Sequence, residues 1–384
     1  MKNVKKTNKV IALAVVLMMV VSTFVGVNVT AATAKVAKKV TSSVASGTYA
    51  SAKTIALRSL TNGAKIYYTV NGKTPTTKAT LYTKAFNIAK STTVKAIAVK
   101  KGYKNSSVST FTYKVIIAPT NLTGSFTMSG SSALFPLAKY VSSLFKSKNP
   151  DLSITVNAGG SGTGLNNVLA GTVDIGNSDI YASEKLAVGD AAKLTDHKVC
   201  IIGVATIVHP DISAAISNIS KSDLKKVFSG AISNWKEIGG PDQAIVIVNR
   251  PASSGTRALF VKWALDGQKD IDGDKNLATD DSNALAKTVA STKGAIGYLA
   301  LSYVESSSQN FGVLKLDGDS PSYSNIYSNK YPVWGYEHMY TLGTPKTNVK
   351  AFLDFMVNKD LTSSYEALGY GAINKLGSAA ANSR

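Results

Sequence analysis

The chain reads as a two-lobed α/β protein preceded by a small all-β, immunoglobulin-like module. Three observations predict this. From Gly124 onward, strand-like runs alternate with helical ones, the pattern of largely parallel sheets covered by helices. From Gly47 to Val115 the runs are short, alternating and separated by turns, as in a sandwich. The charge balance also changes along the chain. Residues 1 to 150 hold 22 Lys and Arg and no acidic residue, whereas 151 to 384 hold 21 basic against all 23 acidic residues.

The first 34 residues read as a secretory signal peptide. Lys2, Lys5, Lys6 and Lys9 precede an apolar run from Val10 to Val29, and Ala32-Thr33-Ala34 offers an A-x-A-like cleavage site before Lys35. The run also reaches the ~20 residues that span a bilayer, so an uncleaved membrane anchor is the alternative. Residues 35–46 have no clear period and read as a linker. The single cysteine, Cys200, lies in an apolar segment. It reads as a buried small hydrophobe, with no internal disulfide and no lipid anchor on cysteine near the signal. The formal charge of +20 belongs to the front section alone. On an exported chain, residues 35–118 are expected to meet an anionic cell wall polymer or a membrane surface and not nucleic acid.

Within the β module, Thr54–Leu60, Lys65–Val70, Thr93–Val99 and Ser109–Val115 are strand-like, and Asn62-Gly63 and Asn71-Gly72 are turn signals. Gly47-Thr-Tyr49, Ala64-Lys-Ile-Tyr-Tyr-Thr-Val-Asn-Gly-Lys-Thr-Pro75, Leu81-Tyr82, Lys95-Ala-Ile-Ala98 and Tyr113 resemble the chitobiase/beta-hexosaminidase C-terminal-type domain. That resemblance implies an accessory module over 47–115, with Asn71 where the family usually has Asp. The module has no carboxylate and so no acid/base pair for glycoside hydrolysis. Tyr67, Tyr68, Tyr82, Phe86, Tyr103, Phe111 and Tyr113 are expected to serve mainly its core.

Three loops in the α/β part share one design, in which a strand ends, small and hydroxylated residues follow, and an amphipathic helix begins. They are Ser129-Gly-Ser-Ser-Ala-Leu-Phe-Pro136, Gly159-Gly-Ser-Gly-Thr-Gly164 and Ala252-Ser-Ser-Gly-Thr256. A helix N-terminus presents unpaired N–H groups and the positive end of its dipole, so it favours an anion. Each loop alone reads as a helix cap; three in one chain point to an anion site. None has the spacing of a nucleotide-binding loop. Asp179 follows a short apolar strand, and Arg250 immediately precedes the third loop, where its planar fork suits an oxyanion.

Gly130-Ser-Ser-Ala-Leu-Phe-Pro136, Gly160-Ser161, Asp174-Ile-Gly-Asn-Ser-Asp179, Arg250 with Ser254-Gly-Thr256, and Gly294-Ala-Ile-Gly-Tyr298 follow one another in that order. Over about residues 122 to 384 the chain thereby resembles the PstS family of phosphate-binding proteins. The resemblance implies the type 2 periplasmic-binding-protein fold, with lobe 1 near 122–206 and 331–384 and lobe 2 near 207–330. It implies a receptor that passes inorganic phosphate to an ABC transporter permease, without enzymatic activity or a cofactor. Carried over by motif, Ser161, Asp179, Arg250, Ser254, Gly255 and Thr256 contact phosphate. In the first loop Leu134 stands where the family often has Thr, so Leu134 and Phe135 offer only backbone N–H, and Ser131 and Ser132 are the candidate hydroxyls.

An acid belongs in such a site because phosphate near neutral pH still carries a proton, which an ionised Asp179 accepts. Sulfate carries none, and facing a buried carboxylate costs it roughly 3 kcal/mol, on the order of a hundredfold in affinity. The competing readings are a receptor for sulfate or molybdate, a cell-wall-binding surface protein, and an enzyme acting on phosphorylated sugars. Asp270-Ile-Asp-Gly-Asp-Lys-Asn276 hints at a calcium loop, but Lys275 replaces the required Gly and Asp281 the closing Glu. It reads as a turn. His197, His209 and His338 have no close metal-ligand spacing.

Overall fold

The computed structural model describes residues 35–49, 52–115, 119–273, 275–278 and 280–384. The signal segment 1–34 lies outside them. No helix among the described residues is long and apolar enough to cross a membrane.

The front module is built of strands alone. Lys65–Thr69, Thr92–Val99 and Ser109–Val115 form an antiparallel ladder, flanked by Gly47–Tyr49 on one edge and Thr80–Leu81 on the other. Two short antiparallel pairs complete it, Val40–Ser42 with Leu57–Ser59 and Lys53–Ile55 with Phe86–Ile88. Period-two alternation buries Val94, Ala96 and Ala98 beside Ile55, Ile66 and Tyr113. Tyr113 is fully buried, and its hydroxyl meets Ser42 Oγ at 2.6 Å and donates to the Val44 carbonyl at 3.1 Å. The Asn-Gly turns place Gly63 and Gly72 at φ of +70° and +73°, where glycine carries no Cβ penalty. Tyr68 stacks on Phe86 at 4.5 Å with Tyr82 edge-on, and all three pack against this core.

One expectation is corrected here. Residues 35–46 are not a bare linker, because Val40–Ser42 is a strand and Ala37 and Val40 lie in the module's core. Three paired residues are too few to show a period, so the sequence hides them.

The described residues of the remainder hold two large apolar cores and a small third cluster around Leu165, Val168, Ala182 and Tyr340. Of the two large cores, one gathers Phe126, Phe145 and Phe352; the other gathers Phe228, Trp235, Phe260 and Tyr298. Strands Gly124–Gly130, Leu152–Ala158 and Ile175–Ser178 are mutually parallel at one end of the large sheet, as are Val246–Asn249, Lys275–Asn276 and Ala295–Ala300 at the other. Between them run Leu194–Val208 and Trp334–Leu342, antiparallel to each other and to the strands on either side. The sheet is therefore mixed where a largely parallel one was expected. Strand-then-helix order predicts parallel neighbours only within local units, and these two long strands pair across most of the domain.

Close backbone packing sets the floor beneath the loops. A Cβ on Gly164, in the helix Ser161–Leu169, would lie 2.6 Å from the Asn177 carbonyl oxygen and 2.7 Å from Gly130 Cα. The helix can approach the strand ends only because that position is bare. Gly164→Ala is therefore expected to lower stability by about 1–3 kcal/mol, seen as a lower urea midpoint with unchanged slope.

Candidate anion-binding site

The three loops predicted from sequence meet at the C-terminal ends of the strands. Helices Phe135–Lys146, Ser161–Leu169 and Gly255–Ala264 start there. The Gly160 N–H donates to the Gly130 carbonyl at 2.9 Å, and the Gly162 N–H to the Ser253 carbonyl at 3.0 Å, so backbone bonds join the second loop to the first and third. Ser254 caps the third helix by accepting from the Arg257 N–H at 3.2 Å.

Asp179 sits at the centre of this arrangement, only 2% exposed. Its backbone N–H donates to Ser161 Oγ at 2.9 Å, and its Oδ2 accepts from Thr256 Oγ1 at 2.8 Å. A hydroxyl that accepts from a backbone N–H still has its own proton to give, so Ser161 remains a donor. Burial raises the Asp179 carboxyl above its ordinary pKa; hydrogen bonds from Ser131 and Thr256 and the charge of Arg250 oppose the rise, while the charge of Asp280 adds to it. Gly255 is bare for a reason: a Cβ there would fall 2.1 Å from Ser161 Oγ and 2.9 Å from Asp179 Cβ.

Arg250 is buried beside them. Its Nη1 donates to Asp280 Oδ1 at 2.6 Å and its Nη2 to Ser282 Oγ at 3.2 Å, leaving Nε without a protein partner. Arg257 holds the same segment from below, donating to the Arg250 carbonyl at 2.6 Å and gripping Asp270 through Nε and Nη2 at 3.0 Å each. Asn249 donates to Asp270 at 2.7 Å and accepts from the Tyr298 hydroxyl at 2.6 Å. Asp270, which opened the calcium-like run, is thus committed to Arg257 and Asn249, and among the described residues no acidic or histidine cluster could hold a metal. Above these buried groups a cleft of about 490 Å³ is lined by Ser132, Phe135, Thr163, Ser253, Asp280, Ser282 and Tyr303, among others.

The first loop departs from expectation at one residue. Leu134 was expected to offer its backbone N–H, but that group donates to Ser131 Oγ at 2.9 Å, and the side chain is fully buried. A short local turn captures the donor. Phe135 is the first residue of its helix, so its N–H has no intrahelical acceptor. Ser132 Oγ lies 3.4 Å from Ser282 Oγ, and its carbonyl accepts from the Tyr303 hydroxyl at 3.0 Å.

Sequence reasoning missed Asp280, Ser282 and Glu337. A signal existed for the first two. Asp281 precedes a helical run and caps it, its Oδ1 accepting from the Asn283 and Ala284 N–H groups at 2.8 and 3.0 Å, which makes a fourth helix start at the cleft. Glu337, in the strand Trp334–Leu342, is fully buried, and the register that pairs Ser178 with His338 sets it beside Asp179; nothing in its sequence neighbourhood marks it.

A model of the PBP superfamily domain matches residues 117–360. The phosphate-binding protein PstS of Bacillus subtilis is 48% identical over 241 residues, covering 63% of this chain and 78% of the relative. The chain belongs to the PstS family. A more distant PstS, from Staphylococcus saprophyticus, is 26% identical over 258 residues and is covered to 79% of its length. Among solved structures, a Clostridium perfringens phosphate ABC transporter substrate-binding protein with bound phosphate aligns with a TM-score of 0.59 at 26% identity, over 65% of this chain and 100% of that one. A phosphate transport receptor from Vibrio cholerae shares the fold, with a TM-score of 0.52 at 23% identity over 64% and 98%. The chitobiase/beta-hexosaminidase C-terminal domain matches residues 44–110, so the type 2 periplasmic-binding-protein fold follows an immunoglobulin-like module, as the sequence implied.

The Arg250–Asp280 pair has side chains 0% and 1% exposed, so removing one partner strands a buried charge. Arg250→Met is expected to cost about 3–5 kcal/mol. Combining it with Asp280→Leu should recover much of that loss, which denaturant unfolding of both variants will measure.

Proposed function

We propose that residues 122–384 capture inorganic phosphate between two lobes, near 122–206 with 331–384 and near 207–330, and deliver it to an ABC transporter permease. The observation that carries this reading is the pairing of one buried acceptor, Asp179, with a ring of donors. Arg250, the Ser161 hydroxyl and the backbone N–H groups at the helix starts, those of Phe135, Gly255 and Thr256, supply donors for an oxyanion, while the Thr256 and Ser131 hydroxyls turn their single protons to Asp179. Ser132 and Ser254 stand at the same loops. A fully deprotonated tetrahedral anion has no proton for Asp179, whereas phosphate brings one. Sulfate and molybdate fit this site less well for that reason.

The test is calorimetric titration of the protein with phosphate, sulfate and molybdate. The parent is expected to bind phosphate and discriminate against sulfate; in Asp179→Asn that discrimination should shrink by on the order of a hundredfold. An unchanged ratio would remove Asp179 from the role.

Export places this receptor outside the membrane, with residues 1–34 as the signal, and the front module as its link to the envelope. Residues 35–115 carry 15 Lys and Arg and no Asp or Glu, so an anionic cell wall polymer is the partner their charge favours. Co-sedimentation of the exported protein with wall preparations should be strong at low ionic strength and fall as salt shortens the screening length from ~30 Å at 0.01 M to ~3 Å at 1 M. Binding to anionic lipid vesicles in preference to wall would transfer the role to the membrane surface.

A further inference from the structure

Glu337 is 0% exposed, and neither of its carboxyl oxygens has a hydrogen-bond donor among the described residues. It occupies the central strand Trp334–Leu342, opposite Cys200 in the strand Leu194–Val208, next to the point where the pairing register shifts between Lys198 and Cys200. The antiparallel register that pairs Ser178 with His338 sets Asp179 beside Glu337 at the next position, and Asp179 Oδ1 is itself buried without a partner. Two carboxyl groups therefore face each other in a dry interior, each with an unsatisfied oxygen.

Two ionised carboxylates in such contact repel, and an unpaired buried charge is costly. One proton between them removes both problems, because a protonated acid donates and a carboxylate accepts. The surroundings decide where that proton resides. Asp179 accepts from Thr256, is hydrogen-bonded by Ser131 and lies in the field of Arg250, all of which favour its charged form. Among the described residues, Cys200, directly opposite, and Tyr370 also feel the Glu337 charge, and neither supplies a positive charge.

We propose that Glu337 is a positioning residue of the anion site: its neutral carboxyl donates to Asp179 Oδ1, holding Asp179 ionised and correctly turned to accept the proton of phosphate. Burial and the neighbouring Asp179 charge push the Glu337 carboxyl well above the ordinary glutamate range, in keeping with this assignment. The inference rests on the phosphate reading of the site. It explains how a carboxylate can stay charged under a bound anion without solvent around it, and it adds to the recognition loops a residue from the strands that cross between the lobes.

Glu337→Gln keeps an uncharged donor of the same shape and removes the titration. Glu337→Leu removes the donor. A protonated carboxyl carbonyl band is expected in the infrared spectrum of the ligand-free parent at neutral pH and is expected to be missing from Glu337→Gln; its absence from the parent would overturn the proposal. Phosphate affinity of the parent should fall more steeply than that of Glu337→Gln as pH rises and Glu337 ionises. The ligand's own titration is common to both proteins, so the difference belongs to Glu337. The folded parent should also lose stability relative to Glu337→Gln as pH rises, because a carboxyl whose pKa is raised by folding stabilises the fold while protonated and loses that contribution on ionising. Glu337→Leu should reduce phosphate-over-sulfate discrimination about tenfold, with Glu337→Gln close to the parent. Equal discrimination and superimposable pH profiles in all three proteins would refute the positioning role. A parent that binds no phosphate would refute the site reading itself, and the infrared band would still decide whether the two carboxyls share a proton.

Discussion

A carboxyl group held away from water is the constraint around which the α/β part is organised. Asp179 is nearly inaccessible, so each neighbour must either offer it a proton or keep its distance. Thr256 and Ser131 offer protons, Arg250 supplies a compensating field, and Ser161 fixes the backbone on which the carboxylate stands. These partners come from loops far apart in sequence. The fold therefore has to deliver three helix starts to one point, and the bare backbones at Gly164 and Gly255 are what let them approach.

Arg250 presents the complementary problem. A buried guanidinium with no anion beside it would be as unfavourable as a buried carboxylate, and Asp280 and Ser282 occupy two of its donors. Only Nε is left without a protein partner. With Arg250 matched by Asp280, an ionised Asp179 leaves the site one negative charge in excess before any ligand arrives, which favours an anion that brings a proton of its own.

Much of this was legible in the sequence because the signals are local. Asp179 and Arg250 sit just after a strand ends, and Ser161, Ser254 and Thr256 where a helix begins, so the loop chemistry points to an anion before any geometry is known. Asp280 was missed although the Asp281 cap marks a helix start beside it, because an ion pair to a residue 30 positions away leaves no periodic trace. Glu337 was hidden for a different reason: a lone acid inside a strand looks like a solvent-facing residue until the strand is seen to run through the centre of the sheet. Leu134 misled because its N–H is consumed by Ser131 within the same turn. The mixed sheet escaped because antiparallel pairing of Leu194–Val208 with Trp334–Leu342 is set by long-range register. In the front module the Asn-Gly turns and alternating strands were plain, while the paired Val40–Ser42 was too short to announce itself.

The two long strands that run side by side through the middle of the large sheet have a mechanical consequence. Segments tied by a ladder of backbone hydrogen bonds cannot swivel independently, as single-chain connections can. Any relative movement of the two cores must bend the ladder as one leaf spring, and a spring of this kind yields most easily where its rungs are irregular. The register shift between Lys198 and Cys200 is such a place, and Glu337 stands directly opposite it. The irregular rung and the buried acid beside Asp179 therefore belong to one structural element.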